Sequence, residues 1–227
     1  RINIILWLRT LLVAVGVTFS CLLLAYPIAH MLATARPKYA NILMILVLLP
    51  FWTSLLVRTS SWMVLLQKQG VLNDILVFFG VVLDEHRLAL MYNMTGTFIT
   101  MTQILLPFMV LPLYSVMKTI SPSLMRAATS MGSTPLHAFR RIYFPLTYSG
   151  ISAGSILVFV LAIGYYITPA LVGGAKGVLI SNRIAYHMQS SLDWSLATAM
   201  GTVLLATVLV AYWVYNRIVG IDNMRIG

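Results

Sequence analysis

Five long runs without Lys, Arg, Asp or Glu constrain the fold of this chain more than any other feature. A transmembrane helix needs about 20 mainly apolar residues, and each run is about that long or longer. Such runs predict an all-α integral membrane protein, because helices satisfy every backbone polar group within lipid. Pro50 is expected to kink the second span rather than end it, since membrane helices tolerate proline. The predicted spans are residues 10–35, 39–60, 90–117, 142–168 and 194–216.

The composition agrees with a membrane protein and excludes an ordinary soluble domain. Of the 227 residues, 60% are hydrophobic and 9% are charged, whereas soluble domains have roughly 45–50% apolar and about 25% charged residues. The formal charge of +10 does not indicate a nucleic-acid partner, because the basic residues are scattered between the apolar runs and form no patch on a soluble face. Residues 1–227 are therefore predicted to form one transmembrane domain in contact with membrane lipid.

The longest polar interruption, Lys118–Leu146, has the punctuation of two short helices. Ser121 followed by Pro122 is typical of an N-cap and a first helical position. Gly132 can take the left-handed conformation that ends a helix, and Thr134 begins the pattern again. From the residues alone, this stretch is either a basic loop or a bent surface presented to another protein. The apolar residues of the first helix recur at helical spacing: Leu124, Ala127, Ala128 and Met131.

Several kinds of chemistry lack their motifs in this chain. No G-x-x-x-x-G-K-[ST] sequence is present, and Gly173–Gly177 lacks that spacing, so no ATP site is predicted. The histidines are isolated from one another, and no nucleophile stands near a base, so neither a metal site nor a catalytic site is predicted. Ion-coupled carriers generally keep ionisable groups in their spans, which disfavours that class here. All five acids are predicted in loops or at the termini: Asp74, Asp84, Glu85, Asp193 and Asp222.

The sequence RAATSMGSTPLHAFRRIYFPL resembles the EAA loop of the membrane subunits of binding-protein-dependent ABC importers. The family's E-A-A triplet, glycine and hydrophobic-x-x-Pro-Leu end are matched except for the glutamate, where Arg126 stands. In the family, this loop lies in a groove of a cytoplasmic ATPase subunit. We call residues 118–146 the coupling segment. The resemblance implies that its docking residues are Leu124, Arg126, Ala127, Ala128, Met131, Gly132, Phe139 and Pro145.

Three further stretches, Ala25–Ala33, Leu49–Asn73 and Tyr165–Lys176, are similar to spermidine/putrescine-type permeases. The resemblance implies a type I ABC importer permease bundle in the bacterial inner membrane, with a cytoplasmic coupling helix in the loop 118–141. Such permeases usually have six spans, so an N-terminal span is expected to be missing from this chain. The implied partners are two cytoplasmic ATPase subunits that hold ATP and Mg, a second homologous permease subunit and an external solute-binding protein.

The implied solute is a polyamine or a related amine, and three aromatic residues are candidates for its pathway. Trp52, Tyr165 and Tyr166 can present ring faces to a cationic amine, and for each one the alternative is a packing or membrane-belt role. Asp74 and Asp193 are either cation attractors at an external mouth or ordinary solvated acids. In some polyamine permeases an acid follows the Tyr-rich motif, but Thr168-Pro169 stands here. Another small solute, such as an amino-acid derivative or an opine-like compound, and an ion-coupled carrier therefore remain alternatives.

Orientation and helix packing have weaker signals. Lys and Arg number eight on the side of the coupling segment and seven on the other, which places the coupling segment in the cytoplasm by a small margin. The family's cytoplasmic loop agrees with this orientation. Two small-x-x-x-small steps, Gly150/Gly154 and Ala197/Gly201, predict close approach between helices in lipid.

Overall fold

The computed structural model describes residues 2–175 and 177–219, and within them every regular element is a helix. The predicted loop or terminal residues Arg1, Lys176, Asp222 and Arg225 lie outside the described residues. A π-helix at Phe139–Tyr143 and 3₁₀ turns at Leu49–Trp52 and Asp84–His86 interrupt the α-helices. The α-helices are α1 (Ile2–Thr34), α2 (Pro37–Leu48), α3 (Leu55–Leu65), α4 (Val71–Phe78), α5 (Met94–Thr119), α6 (Pro122–Ser130), α7 (Pro135–Ala138), α8 (Phe144–Leu146), α9 (Tyr148–Ile163), α10 (Ile167–Val172), α11 (Ile180–Gln189) and α12 (Trp194–Val219).

Helices α1, α5 and α9 pack against one another and form the core of the bundle. Along α1, small side chains recur every three or four residues and are fully buried at Ala14, Cys21, Ala25 and Ala29. Small residues let helix backbones approach closely, which is the main source of packing between helices in lipid. The Cys21 thiol donates to the carbonyl of Thr102 at 3.3 Å. Cys21 is therefore a small packing residue of this interface.

The first small-residue step brings α9 against α5. A Cβ atom on Gly154 would lie 2.7 Å from the sulfur of Met109, and one on Gly150 would lie 3.1 Å from the carbonyl oxygen of Pro112. The predicted close approach is therefore confirmed at this pair. At the second step, Ala197 is 3% exposed, whereas a Cβ atom on Gly201 would meet nothing within 4 Å among the described residues.

Within the described residues, three helices are long and apolar enough to cross a membrane, and two bent helix pairs raise the number to five if each pair is one span. The predicted interval 39–60 is not one straight helix, because α2 continues as a 3₁₀ turn through Trp52 and meets α3 at 99°. Pro50 therefore does more than kink the helix. Both the backbone N–H and the hydroxyl of Thr53 donate to the carbonyl of Pro50, at 3.3 and 2.7 Å, and the backbone becomes extended at Thr53.

The predicted interval 142–168 also differs from the observed helices. The chain bends by 56° between the stretch Pro135–Leu146 and α9. Helix α9 ends at Ile163, and a separate short helix, α10, begins at Ile167. The helix therefore ends at Gly164, before the Tyr-rich motif, although Tyr165 still packs against the core.

Candidate functional site

The first limb of the coupling segment is helix α6. Pro122 occupies its first position, where a missing N–H costs no hydrogen bond. The hydroxyl of Ser121 accepts from the backbone N–H of Ser123 at 3.3 Å. The predicted start of this helix is confirmed.

Helix α6 ends in a Schellman motif centred on Gly132. The N–H of Ser133 donates to the carbonyl of Ala128 at 3.1 Å, and the N–H of Gly132 donates to that of Thr129 at 3.0 Å. This pattern requires a left-handed residue at the position after the C-cap, and Gly132 has a φ of 86°. Thr134 then caps α7 by accepting from the N–H of His137. The predicted arrangement of helix, glycine and helix is confirmed, and the glycine fixes the angle between the limbs.

The apolar residues of the coupling segment divide between an inner and an outer face. Ala128 is only 7% exposed, whereas Met131 is 88% exposed and Leu136 is 64% exposed. Leu124 and Ala127, two other apolar residues of this helix, are also exposed. An open cleft with a volume of about 590 Å³ lies between the limbs, and its lining includes Met131, Gly132 and Thr134. Exposed apolar side chains beside a rigid bend form a surface suited to a protein partner.

The charges on the coupling segment all have one sign. Its 29 residues from Lys118 to Leu146 contain no Asp or Glu. The side chain of Arg126, where the family has glutamate, is exposed. Of the other predicted docking residues, Pro145 is exposed and Phe139 is half-buried. The remaining exposed cations are Lys118, Arg140 and Arg141.

The second limb of the coupling segment is residues 135–146. This limb and the adjacent Thr147 contact α1 through polar side chains that the sequence analysis did not single out. The hydroxyl of Tyr143 lies 3.0 Å from Nδ1 of His30, and the hydroxyl of Tyr26 lies 3.3 Å from that of Thr147. The positions are more than 100 residues apart in the chain, so no local pattern pairs them. Their one visible signal is that Tyr26 and His30 are polar side chains within an apolar run.

The three candidate pathway residues lie around two helix breaks. Trp52, at the end of the 3₁₀ turn, is 88% exposed. Tyr165 is half-buried and packs against the core, whereas Tyr166 is 39% exposed. The side chains of Ser181 and Asn182 donate to the carbonyls of Tyr165 and Tyr166, respectively, and this fixes the backbone after α9. Among the described residues, Trp52 makes no ring contact with either tyrosine.

A set of polar contacts near these breaks also escaped the sequence analysis. Thr59 of α3 and Thr168 of α10 are buried, and their hydroxyl oxygens lie 3.3 Å apart. The indole N–H of Trp62 donates to the side-chain oxygen of Gln103 on α5 at 2.9 Å. Trp62 therefore contacts another helix of the bundle. From the sequence alone, a position in the membrane belt would have explained this tryptophan as well. The polar contacts join α3, α5 and α10.

The acids considered as cation attractors have structural partners. Asp74 forms an ion pair with Arg87 at 2.7 Å, and Asp84 forms another with the same guanidinium at 2.7 Å. The hydrogen bonds that Arg87 donates to the carboxylates of Asp84 and Asp74 raise the pKa of its guanidinium above its usual range. Asp193 accepts from the N–H of Leu196 at 3.0 Å and so caps the start of α12. These contacts explain both Asp74 and Asp193 without a bound cation.

A bundle of long apolar helices joined by an exposed polar bend is typical of a multi-pass membrane protein. A family model described as "binding-protein-dependent transport system inner membrane component" matches residues 22–220. The chain belongs to this family, and it is a multi-pass protein of the inner membrane. The predicted family resemblance and location are confirmed.

Individual relatives agree with the family match. PotB of Escherichia coli strain K12, a spermidine/putrescine transport system permease protein, is 36% identical over 214 residues, which cover 93% of this chain and 77% of PotB. A bacterial ABC transporter that imports the acidic polysaccharide alginate has a chain with a TM-score of 0.68 and 19% identity, covering 95% of this chain and 80% of that one. A second structure of the alginate transporter, in complex with a periplasmic protein bound to an alginate pentasaccharide, gives a TM-score of 0.67 with 19% identity, covering 92% and 77% of the two chains. The predicted fold of a type I ABC importer permease is confirmed.

Proposed function

We propose that this chain is the permease subunit of an ATP-driven importer of a small organic solute, a polyamine or a related amine. The observation that carries the proposal is the coupling segment, a bend fixed by Gly132 with Met131 and Leu136 exposed on it. The 36% identity to the spermidine/putrescine permease PotB supports the solute class. The solute would arrive on an external binding protein and cross between this chain and a second, homologous permease subunit.

Two cytoplasmic ATPase subunits would hold ATP and Mg and drive the transport. Their movement would enter through the coupling segment and become alternating access by rigid-body rocking of the bundle. The predicted docking residues occupy suitable places for this role. Met131 and Leu124 supply apolar contacts, Ala127 allows a close approach, and Gly132 holds the angle. Ala128 supports α6 from its buried face.

The charges of the coupling segment indicate the chemistry of the ATPase groove. Arg126 and the neighbouring cations are exposed, and the coupling segment contains no acid to pair with them. The ATPase groove would therefore carry carboxylates at its rim to pair with these cations, around an apolar floor that contacts Met131 and Leu124. Complementary rim charges mainly raise the association rate and fix specificity. The substitution of arginine for the family's glutamate therefore adapts this permease to an acidic partner.

The charge proposal predicts a salt-dependent defect for Arg126→Glu. We expect three- to tenfold weaker affinity for the ATPase subunits at low salt, about 0.6–1.4 kcal/mol, and recovery as salt screens the repulsion. Lys68→Glu is the matched control, because Lys68 is an exposed cation outside the coupling segment. Affinity can be measured by titrating the ATPase subunit onto the permease in nanodiscs. Wild-type affinity of Arg126→Glu at low salt would contradict an acidic groove.

Uptake in cells tests the proposed function itself. Cells that express the whole transporter should accumulate radiolabelled spermidine or putrescine, and ATP depletion should abolish the accumulation. Dissipation of proton and sodium gradients at constant ATP should leave it intact, because the predicted spans contain no acid to bind a coupling ion. Uptake that follows the ion gradient instead would overturn the importer.

A measurement of which solute the cognate binding protein retains decides between the two solute classes. Thr168 stands beside the Tyr-rich motif and bonds to Thr59, so this region offers a polyamine no carboxylate. That observation favours an amino-acid derivative or an opine-like solute as the second candidate. If the cognate binding protein retains such a solute and no polyamine, the solute class changes while the importer stands.

A further inference from the structure

A π-helical turn lies where the coupling segment meets the bundle. Between α7 and α8, residues Phe139–Tyr143 form a π-helix, and the N–H of Phe144 donates to the carbonyl five residues earlier. Single π-turns inside α-helices are rare and frequently occur at functional sites. The rings of Phe139 and Tyr143 stack on the same side of this turn, 5.4 Å apart.

Helix α1 presents two polar rings to the π-turn. The ring of His30 meets those of Phe139 and Tyr143 edge-on, with centroids 5.8 and 5.0 Å away. Tyr26, one helical turn earlier on α1, lies 6.4 Å from Phe139, also edge-on. Such edge-to-face contacts add attraction beyond the buried area, because the positive edge of one ring meets the negative face of another.

Two hydrogen bonds tie the same elements together as a ladder. His30 pairs with Tyr143 at 3.0 Å, and Tyr26 pairs with Thr147 at 3.3 Å. The partners are four residues apart on each side, so the two rungs lie one helical turn apart. Apolar side chains would pack here without directional bonds. The hydroxyl of Thr147 also donates to the carbonyl of Phe144 at 2.7 Å, so it accepts from Tyr26, and both rungs form in the observed register.

The π-turn offers the coupling segment a second arrangement. A π-turn contains one residue more than an α-turn, and rewinding it would rotate the preceding limb by about 100° relative to α9, the angle of one residue in an α-helix. The ladder lies across this turn, and α1 continues from it into the packed core with α5 and α9. Movement of the limb would therefore reach the core through the ladder.

We propose that His30 and Tyr143, with Tyr26 and Thr147 as the second rung, are positioning residues that hold the π-turn in register and pass movement of the coupling segment to α1. This inference rests on the proposed function. It concerns the step after ATPase docking, because Tyr26, His30 and Thr147 lie outside the coupling segment and Tyr143, inside it, is buried. Loss of a rung should therefore leave docking intact and weaken the link between ATP hydrolysis and transport.

Tyr143→Phe tests the inference, because it removes one hydroxyl and keeps the ring. In nanodiscs that contain the whole transporter and its binding protein, we expect normal assembly and ATPase stimulation with solute transport reduced about two- to tenfold, the effect of one lost hydrogen bond. ATP hydrolysed per solute should rise by the same factor. The control is Tyr148→Phe, an exposed tyrosine one turn further along, which should keep the wild-type ratio. His30→Gln retains a hydrogen-bonding group, so it should lose less solute transport than His30→Leu.

Two results would overturn the inference. The first is that Tyr143→Phe hydrolyses the same amount of ATP per transported solute as the wild type. The second is that assembly, ATP hydrolysis and solute transport all fall by the same factor, because this would indicate a structural role alone. If Tyr143→Phe does not fold, Thr147→Val breaks the second rung and is judged by the same ratio. A failure of the proposed function can be told apart from a failure of this inference. If the proposed function is wrong, Ala127→Trp leaves ATPase stimulation unchanged, whatever the ladder variants show.

Discussion

A tryptophan at Ala127 is expected to abolish solute transport and ATPase stimulation together, while the chain still inserts into the membrane. Ala127 is exposed on α6 between Leu124 and Met131. Protein interfaces are packed at their centres as densely as protein interiors, so an indole in place of a methyl group would hold the ATPase subunit away. The loss should exceed tenfold, equivalent to more than about 1.4 kcal/mol of docking energy.

The control for this substitution is Ala89→Trp, at an exposed alanine outside the coupling segment. Ala128→Trp should also abolish transport, but for a different reason. Ala128 is only 7% exposed, so the indole would displace α6 from the bundle and lower the thermal stability of the permease. Stimulated ATPase activity, solute uptake and the melting temperature of the purified complex separate the cases. Normal stimulation in Ala127→Trp would exclude a docking role for α6.

Deletion of Gly132 is expected to reduce transport by more than tenfold with insertion unchanged. The residue after the C-cap must be left-handed, and a residue with a Cβ pays about 1–2 kcal/mol in that conformation. Removing this residue also disrupts the Schellman hydrogen bonds that end α6, so the angle between α6 and α7 is no longer fixed. Insertion should persist because the apolar spans are untouched.

Gly132→Ala is the matched control for the deletion. A Cβ atom on Gly132 meets nothing within 4 Å, so alanine keeps the chain length and adds backbone strain alone. We expect Gly132→Ala to retain a substantial part of the transport activity that the deletion loses. The measurement is solute uptake in proteoliposomes normalised to inserted protein. If both variants lose the same activity, strain at this position accounts for the defect and the fixed angle does not.

Local signals in the sequence predicted the coupling segment closely. Ser121 with Pro122, Gly132 and Thr134 each act within four residues of their own position, so the chain itself shows where each limb starts and ends. The second span was predicted less well. Its apolar length is visible in the sequence, but the 99° bend follows from how Thr53 bonds back to Pro50 and how α3 then packs on α10. Residue spacing carries neither of those contacts.

The roles of single side chains also depend on contacts that form only in the folded chain. Asp74 has the appearance of a free acid in the sequence, because Arg87 is 13 residues away and only the folded loop brings them to 2.7 Å. Ala127 and Ala128 are adjacent and chemically identical. The bundle buries Ala128 and leaves Ala127 on the surface, and this decides which of them can touch a partner.

The sequence by itself determined that this chain is a helical membrane protein with a bent polar segment, because apolar run length, N-caps and glycine act locally along the backbone. Only the tertiary structure decided which faces are covered, where the second span breaks, and that His30 meets Tyr143 across 113 residues of chain. The physical reason is that these contacts depend on the packing of α1 against α5 and α9. That packing is a sum of many weak contacts between distant residues, and no short stretch of sequence contains it.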